Sequence, residues 1–208
     1  MPHLPPNSRL VLATHNPGKV REMRALLAPY GVDVVSAGDL ALPVPDETET
    51  TFVGNATLKA VAAANGAKLA ALSDDSGIEV AALDGAPGVV SADWAGPGKD
   101  FALAMRRVHD ELVARGANFE DRPRANFTSV LCLARLGQPA RCFEGKVFGH
   151  IVWPPRGTNG FGYDPMFVPE GHEQTFGEMD PAQKHDLSHR ARSFEKFAVA
   201  CLVGGKSG

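Results

Sequence analysis

The sequence predicts an α/β protein, and three observations carry that reading. Short apolar runs of strand length alternate with segments whose apolar residues recur at helical spacing. Two long β-like runs are joined by turn residues, and loops rich in glycine and proline separate the elements. The first strand is the run Leu10-Val11-Leu12-Ala13, followed by a polar turn from Thr14 to Lys19 and a helix marked by Val20, Met23, Leu26 and Leu27. Pro29 closes that helix, and Val32 to Val35 reads as the second strand. An acidic, proline-bearing loop from Leu42 to Glu49 leads into an alanine-rich helix over about Thr51 to Leu69, with Phe52, Ala56, Ala60 and Ala63 on one side and Lys59 within it.

Ala70 to Ser73 reads as a buried strand, interrupted by Asp74-Asp75-Ser76-Gly77 and resumed by Ile78 to Leu83. A loop from Gly85 to Gly88 precedes an amphipathic helix with Phe101, Met105, Val108 and Leu112 facing inward and Gly116 as its stop. The runs Ala125 to Leu136 and Arg141 to Val152 flank Gly137-Gln138-Pro139, a hairpin signal. After a glycine-rich loop from Gly157 to Pro165, two helix starts remain. Asp180 caps the first with Pro181 at its first position and Gln183 completing a capping-box-like pair. The second begins at Ser188 and turns Ala191, Phe194, Ala198, Cys201 and Leu202 inward.

Composition sets limits on function. A chain of 208 residues, 44% hydrophobic and 22% charged, suits one globular domain or two lobes sharing a core. A formal net charge of -3 provides no basic field to gather nucleic-acid phosphates, so a nucleic-acid partner is not expected. No apolar stretch is long enough to span a bilayer, so no membrane partner is expected either. Cys132, Cys142 and Cys201 form no closely spaced pair, which argues against a zinc knuckle or an oxidised scaffold and for a reducing cytoplasm. Residues 1–8 read as a disordered leader and 9–208 as the domain.

The chemistry concentrates in a few segments. Thr14-His15-Asn16-Pro17-Gly18-Lys19 lies between the first strand and the first helix, where backbone N–H groups and the helix dipole favour anions; the same residues are also good turn chemistry. Asp74-Asp75 places two carboxylates beside buried apolar runs, which is costly unless a cation or hydrogen bonds compensate them. Magnesium takes such hard oxygen ligands and keeps waters for phosphates to displace, and Glu47 in the acidic loop is a third candidate carboxylate. In the loop from Gly157 to Pro165, Phe161, Tyr163 and Asp164 stand among glycines that let backbone approach a flat ligand. Lys184 and the pair His189-Arg190 lie near the last helix starts and suit anion or carbonyl contact. The residues alone describe an α/β enzyme acting on a phosphorylated ligand with a divalent metal.

The segments Leu12 to Lys19, Leu72 to Gly77, Gly85 to Gly88 with Ser91-Ala92, Gly160 to Pro165 and Ser188-His189-Arg190, in this order, resemble the noncanonical purine NTP pyrophosphatase family, also called the Ham1 or inosine triphosphatase family. The resemblance runs from about residue 9 to residue 203. It implies an elongated mixed sheet with flanking helices, in two lobes that enclose a nucleotide cleft, and a homodimer. Thr14 to Lys19 match the family's triphosphate loop, and Lys59 matches a lysine that also reaches the substrate. His15 departs from many relatives, which carry glycine there. Glu47 and Asp75 match the magnesium carboxylates, Asp75 also matches the proton acceptor, and Asp74 is a neighbouring candidate ligand. Ser76, Phe161, Gly162, Tyr163, Asp164, Lys184, His189 and Arg190 match substrate contacts, the last three grouped around the base.

The expected reaction is hydrolysis of inosine, deoxyinosine and xanthosine triphosphates to monophosphate and pyrophosphate. Attack at the α-phosphorus comes from the resemblance and not from any residue pattern. A one-phosphate phosphatase, a pyrophosphatase for modified pyrimidine nucleotides and a non-catalytic nucleotide-binding module are the rival readings. The carboxylates count against the last, since an anion binder gains nothing from them without a metal.

Overall fold

A computed structural model describes residues 3–5 and 7–202. The elements are β1 (Arg9–Leu12), α1 (Pro17–Leu27), β2 (Asp33–Ser36), α2 (Phe52–Ala67), β3 (Ala70–Val80), α3 (Phe101–Ala114), β4 (Arg124–Arg135), β5 (Gln138–Ile151), β6 (Phe167–Pro169), α4 (Pro181–Leu187) and α5 (His189–Cys201), joined in places by single 3₁₀ turns. Six strands form one sheet in the order β2-β1-β3-β4-β5-β6. It is mixed, as expected: β1 runs parallel to both β2 and β3, while β5 and β6 are antiparallel. The chain divides into two compact units, which share β3, β4, β5 and α5 along their lengths.

The first unit holds the chain up to Asp75, Val130–Glu144 and the chain from Arg192. Leu10, Val11 and Leu12 are buried because β1 lies between two neighbours, which explains its unbroken apolar run. Period-two alternation then sorts residues onto two faces. Leu72, Leu131, Leu133 and Phe143 meet Val20, Met23 and Leu27 of α1 and Phe194 and Phe197 of α5 in one core. On the other face lies α2, where Ala56 and Ala60 are fully buried. Their small side chains permit close approach, and Ser73 Oγ donates to the Ala56 carbonyl at 2.5 Å. Thr51 caps α2 by accepting from the Gly54 N–H at 3.0 Å, and Lys68 in the left-handed region ends it.

The second unit comprises Ser76–Ser129 and Gly145–Ala191. Ile78 and Val80 of β3, Met105, Val108 and Leu112 of α3, and Phe127, Val147, Phe167 and Phe176 form its core. The Phe127 and Phe167 rings meet edge to face at 4.8 Å.

The structure departs from the sequence reading at four places. Asp74 to Gly77 do not interrupt the strand, since β3 runs unbroken over Ala70–Val80. β6, only three residues long, is too short to show a period. Cys132 and Cys142, whose spacing argued against an oxidised scaffold, are joined by a disulfide, because the hairpin reverses at Gly137 and lays them side by side with Cα atoms 4.1 Å apart. Leu4, inside the segment read as a leader, is buried, and its N–H reaches the Cys201 carbonyl at 2.7 Å. Met1, Pro2 and Pro6 of that segment lie outside the described residues. Among the described residues no helix is long and apolar enough to cross a membrane.

Candidate active site

In β3, adjacent side chains leave on opposite faces, so Asp74 and Asp75 face different partners. Asp74 turns toward α1, where Lys19 Nζ meets its Oδ2 at 2.7 Å. Asp75 turns toward α2, where Lys59 Nζ meets its Oδ1 at 2.6 Å and also Glu47 Oε1 at 2.9 Å. Lys59 is thus a cation shared by two carboxylates. The acidic loop that brings Glu47 there is fastened by Asn55, a buried residue of α2 whose Oδ1 accepts from the Glu49 N–H at 3.0 Å. Sequence reasoning passed over Asn55, although a polar residue in line with the buried face of an alanine-rich helix is a signal of such a tether.

Burial pushes the Asp75 carboxyl above the ordinary carboxylate range; the Lys59 and Lys19 ammoniums pull it down and the Glu47 carboxylate adds to the rise. Burial pulls Lys59 down, but the Asp75 and Glu47 carboxylates outweigh it and hold the lysine above its ordinary value. The Asp75 Oδ2 is buried and has no hydrogen-bond partner. An orphaned carboxylate oxygen beside a second carboxylate, with a cation already between them, is a donor set that fits a divalent ion of hard-oxygen preference. Among the described residues no group of three or more His, Cys, Asp or Glu side chains converges. Asp74 pairs with Lys19 toward the other face, and the same Lys19 ammonium also acts on Asp75.

The Thr14 to Lys19 loop is largely satisfied from within. Asn16 caps α1, its Oδ1 accepting from the Gly18 N–H at 2.8 Å and the Lys19 N–H at 3.4 Å, and the Asn16 N–H donates to Thr14 Oγ1 at 3.1 Å. Pro17 has no N–H to offer. The loop therefore presents the Lys19 ammonium and the Thr14 O–H more than a bare row of amides. His15 Nε2 is engaged with the Leu42 carbonyl at 2.9 Å.

In the second unit, Asp164 is 3% exposed, and its Oδ2 accepts from the Phe161 N–H at 2.7 Å and from Lys184 Nζ at 2.5 Å. Burial raises its pKa, and Lys184, the Phe161 N–H and Arg190 oppose the rise. Gly160, at φ +74°, is required here, since a Cβ on it would meet Asp164 Oδ2 at 2.1 Å. The Lys184 ammonium lies 5.1 Å from the centre of the exposed Phe161 ring. Arg190 is buried and donates to Ser76 Oγ at 3.2 Å, while the His189 ring stacks on Phe127 at 5.0 Å.

Tyr163, expected among ligand contacts, is buried in the core with its O–H donated to the Ser91 carbonyl at 2.7 Å. Its side chain therefore anchors the loop, and Gly162 beside it adopts a φ of +68°. Ser91 is the matching anchor: its Oγ accepts from the Ile78 N–H at 3.0 Å and donates to the Gly88 carbonyl at 2.6 Å. The Ser91 hydroxyl thus ties β3 to the loop after Gly85, a role with no signal beyond its place in a motif.

Comparison with known proteins gives a consistent result. The family model of the Ham1 family matches residues 10–200. The dITP/XTP pyrophosphatase of Bradyrhizobium sp. (strain BTAi1 / ATCC BAA-1182) is 58% identical over 203 residues, covering 94% of this chain and 95% of that one. The dITP/XTP pyrophosphatase of Caulobacter vibrioides is 59% identical over 193 residues, covering 93% and 97%. The solved structure of a HAM1 protein from Coxiella burnetii superposes with a TM-score of 0.87 at 36% identity, covering 93% of this chain and 98% of that one.

Proposed function

The chain belongs to the Ham1 family, and from that premise we infer that it hydrolyses abnormal purine nucleoside triphosphates, those of inosine, deoxyinosine and xanthosine, to the monophosphate and pyrophosphate. The observation that carries the reading is Asp75: a buried carboxylate with one oxygen lacking a partner and the other on a lysine shared with Glu47.

Magnesium is the metal this donor set suits, and Glu47 and Asp75 are the residues that would hold it. When bound it supplies neutralising charge for the triphosphate and lowers the pKa of a water. The chain's own residues supply the rest. Asp75, with a pKa raised by burial, is the stronger base for it and accepts the proton of the attacking water. The water oxygen bonds to the α-phosphorus as the bond to the bridging oxygen breaks, and pyrophosphate departs with its electron pair. Lys19 and Lys59 reach phosphate oxygens and stabilise the leaving charge, with the Thr14 O–H as a further donor. At the base, Lys184, His189 and Arg190 offer donors to a 6-oxo group, and Phe161 offers an aromatic face. A 6-amino group would meet those donors with hydrogens of its own, so adenine is disfavoured. The homodimer is proposed from the family resemblance, and the cytoplasmic setting from the cysteine usage of the sequence.

The test is a panel of nucleoside triphosphates with product analysis. Inosine and xanthosine triphosphates should release pyrophosphate, in a reaction abolished by excess chelator. Release of orthophosphate would make the enzyme a phosphatase, and binding without turnover would make it a sensing module.

A further inference from the structure

We propose that Lys59 is the resting counter-ion of the Glu47–Asp75 site and passes to the substrate when the metal arrives, so that the nucleotide-free protein holds off free divalent metal and takes it up together with the triphosphate. This rests on the assignment of Glu47 and Asp75 as metal ligands.

The charges balance closely in the absence of ligand. Glu47, Asp74 and Asp75 contribute three negative charges, and Lys19 and Lys59 answer two of them through contacts of 2.7, 2.6 and 2.9 Å. Asp74 and Asp75 are buried and cannot be left unpaired at small cost. A divalent ion bound by both Glu47 and Asp75 comes close to the Lys59 ammonium that already bridges those carboxylates. At such a separation, in a site of reduced dielectric, two cations repel strongly. Lys59 must therefore leave, and an ammonium with three donors and a side chain only 12% exposed needs new acceptors.

The triphosphate brings those acceptors and the metal together. Lys59 moves onto phosphate oxygens as Glu47 and Asp75 move onto the metal, so neither Lys59 nor Asp75 is stranded at either stage. Lys19 has three donors and keeps Asp74 while another donor reaches phosphate. By linkage, whatever factor the nucleotide adds to metal affinity, the metal adds to nucleotide affinity.

The experiment uses Mn²⁺ alone as probe, titrated into nucleotide-free protein and followed by electron paramagnetic resonance of the free ion. Wild type should bind weakly. Lys59→Met, which keeps the buried stem and removes the charge, should bind at least about tenfold tighter, the scale set by removing one nearby charge. Lys59→Gln should do the same, which guards against a folding defect peculiar to one variant. Lys59→Arg, which keeps the charge, should stay near wild type, and Glu47→Gln added to Lys59→Met should cancel the gain. Mn²⁺ should also raise the melting temperature of Lys59→Met more than that of wild type. If Lys59→Met and Lys59→Gln bind Mn²⁺ no tighter than wild type while hydrolysis by wild type still requires a divalent metal, the exchange is wrong and the metal site stands. If hydrolysis by wild type proceeds in excess chelator, the metal assignment fails and the exchange falls with it.

Discussion

Replacing Asp164 by asparagine tests whether base selection depends on how Lys184 is held. The carboxylate is 3% exposed, and its Oδ2 takes both the Phe161 N–H at 2.7 Å and the Lys184 ammonium at 2.5 Å. Asparagine keeps the shape and one acceptor oxygen, so the backbone bond survives and the loop keeps its conformation. What is lost is the charge facing the ammonium. Hydrogen bonds to charged groups contribute about 1.5–3 kcal/mol and neutral ones about 0.5–1.5 kcal/mol, so the change loosens Lys184 by about 1–1.5 kcal/mol. That is about a tenfold effect. Steady-state kinetics should show kcat/KM for inosine triphosphate falling about tenfold, mainly through KM, with the value for adenosine triphosphate nearly unchanged. Acid should mimic the variant: protonating Asp164 as the pH falls through its raised pKa neutralises the same charge, so the inosine preference of wild type should fade earlier on acidification than an ordinary carboxylate would allow. Equal losses on both substrates, or none, would refute the argument that Asp164 acts through Lys184.

Other outcomes follow from the same geometry. Asp75→Asn should lose at least about 10²-fold in kcat while melting near wild type, because the amide keeps the shape but can serve neither as base nor as anionic ligand. Since the active form of Asp75 is the ionised one and burial raises its pKa, the rate should rise with pH through a range above that of an ordinary carboxylate, and a rate falling steadily between about pH 6 and about pH 9 would contradict it. Arg190→Ala should narrow the inosine-to-adenosine ratio of kcat/KM, whereas Lys19→Ala should depress both substrates alike; an unchanged ratio in Arg190→Ala would move the selectivity elsewhere. Away from the site, Glu79 Oε2 accepts from Asn126, Thr128 and Lys146 at 2.6, 2.5 and 3.3 Å; burial raises its pKa, but these partners outweigh it and hold the carboxyl below the ordinary glutamate range. A depressed folded pKa gives stability that is present above the unfolded value and lost as pH falls through the folded one. Glu79→Gln should therefore cost about 1–2 kcal/mol in urea unfolding at neutral pH, with the gap closing in acid.

Much of the fold was legible because its signals are local. The apolar run before Thr14, the helical spacing of Val20, Met23 and Leu27, and the cap at Asp180 each depend on residues within a turn or two of one another, and β1, α1 and α4 stand where they indicate. The hairpin was legible for the same reason, Gly137 at φ +68° supplying its reversal. The acidic pair was legible as a place that needs compensating charge, since carboxylates beside buried apolar runs are costly without it.

What compensates them was not legible. Lys59 lies 16 residues from Asp75 along the chain and meets it only because α2 is laid across the face toward which Asp75 points. The unbroken run of β3 through Asp74 to Gly77 was hidden because the polarity of those residues argued for a loop, while lysines from two helices make the strand tolerable. Tyr163 resembled a ligand contact by its place among glycines; only the packing of its ring and the Ser91 carbonyl show it to be an anchor. The sequence by itself determined where most strands and helices lie, because propensity, capping and periodicity act over a few residues. The tertiary structure decided which carboxylate meets which lysine, which cysteines pair and which loop residue faces inward. Those choices are made by contacts between segments distant in the chain, for which a single sequence holds no local signal.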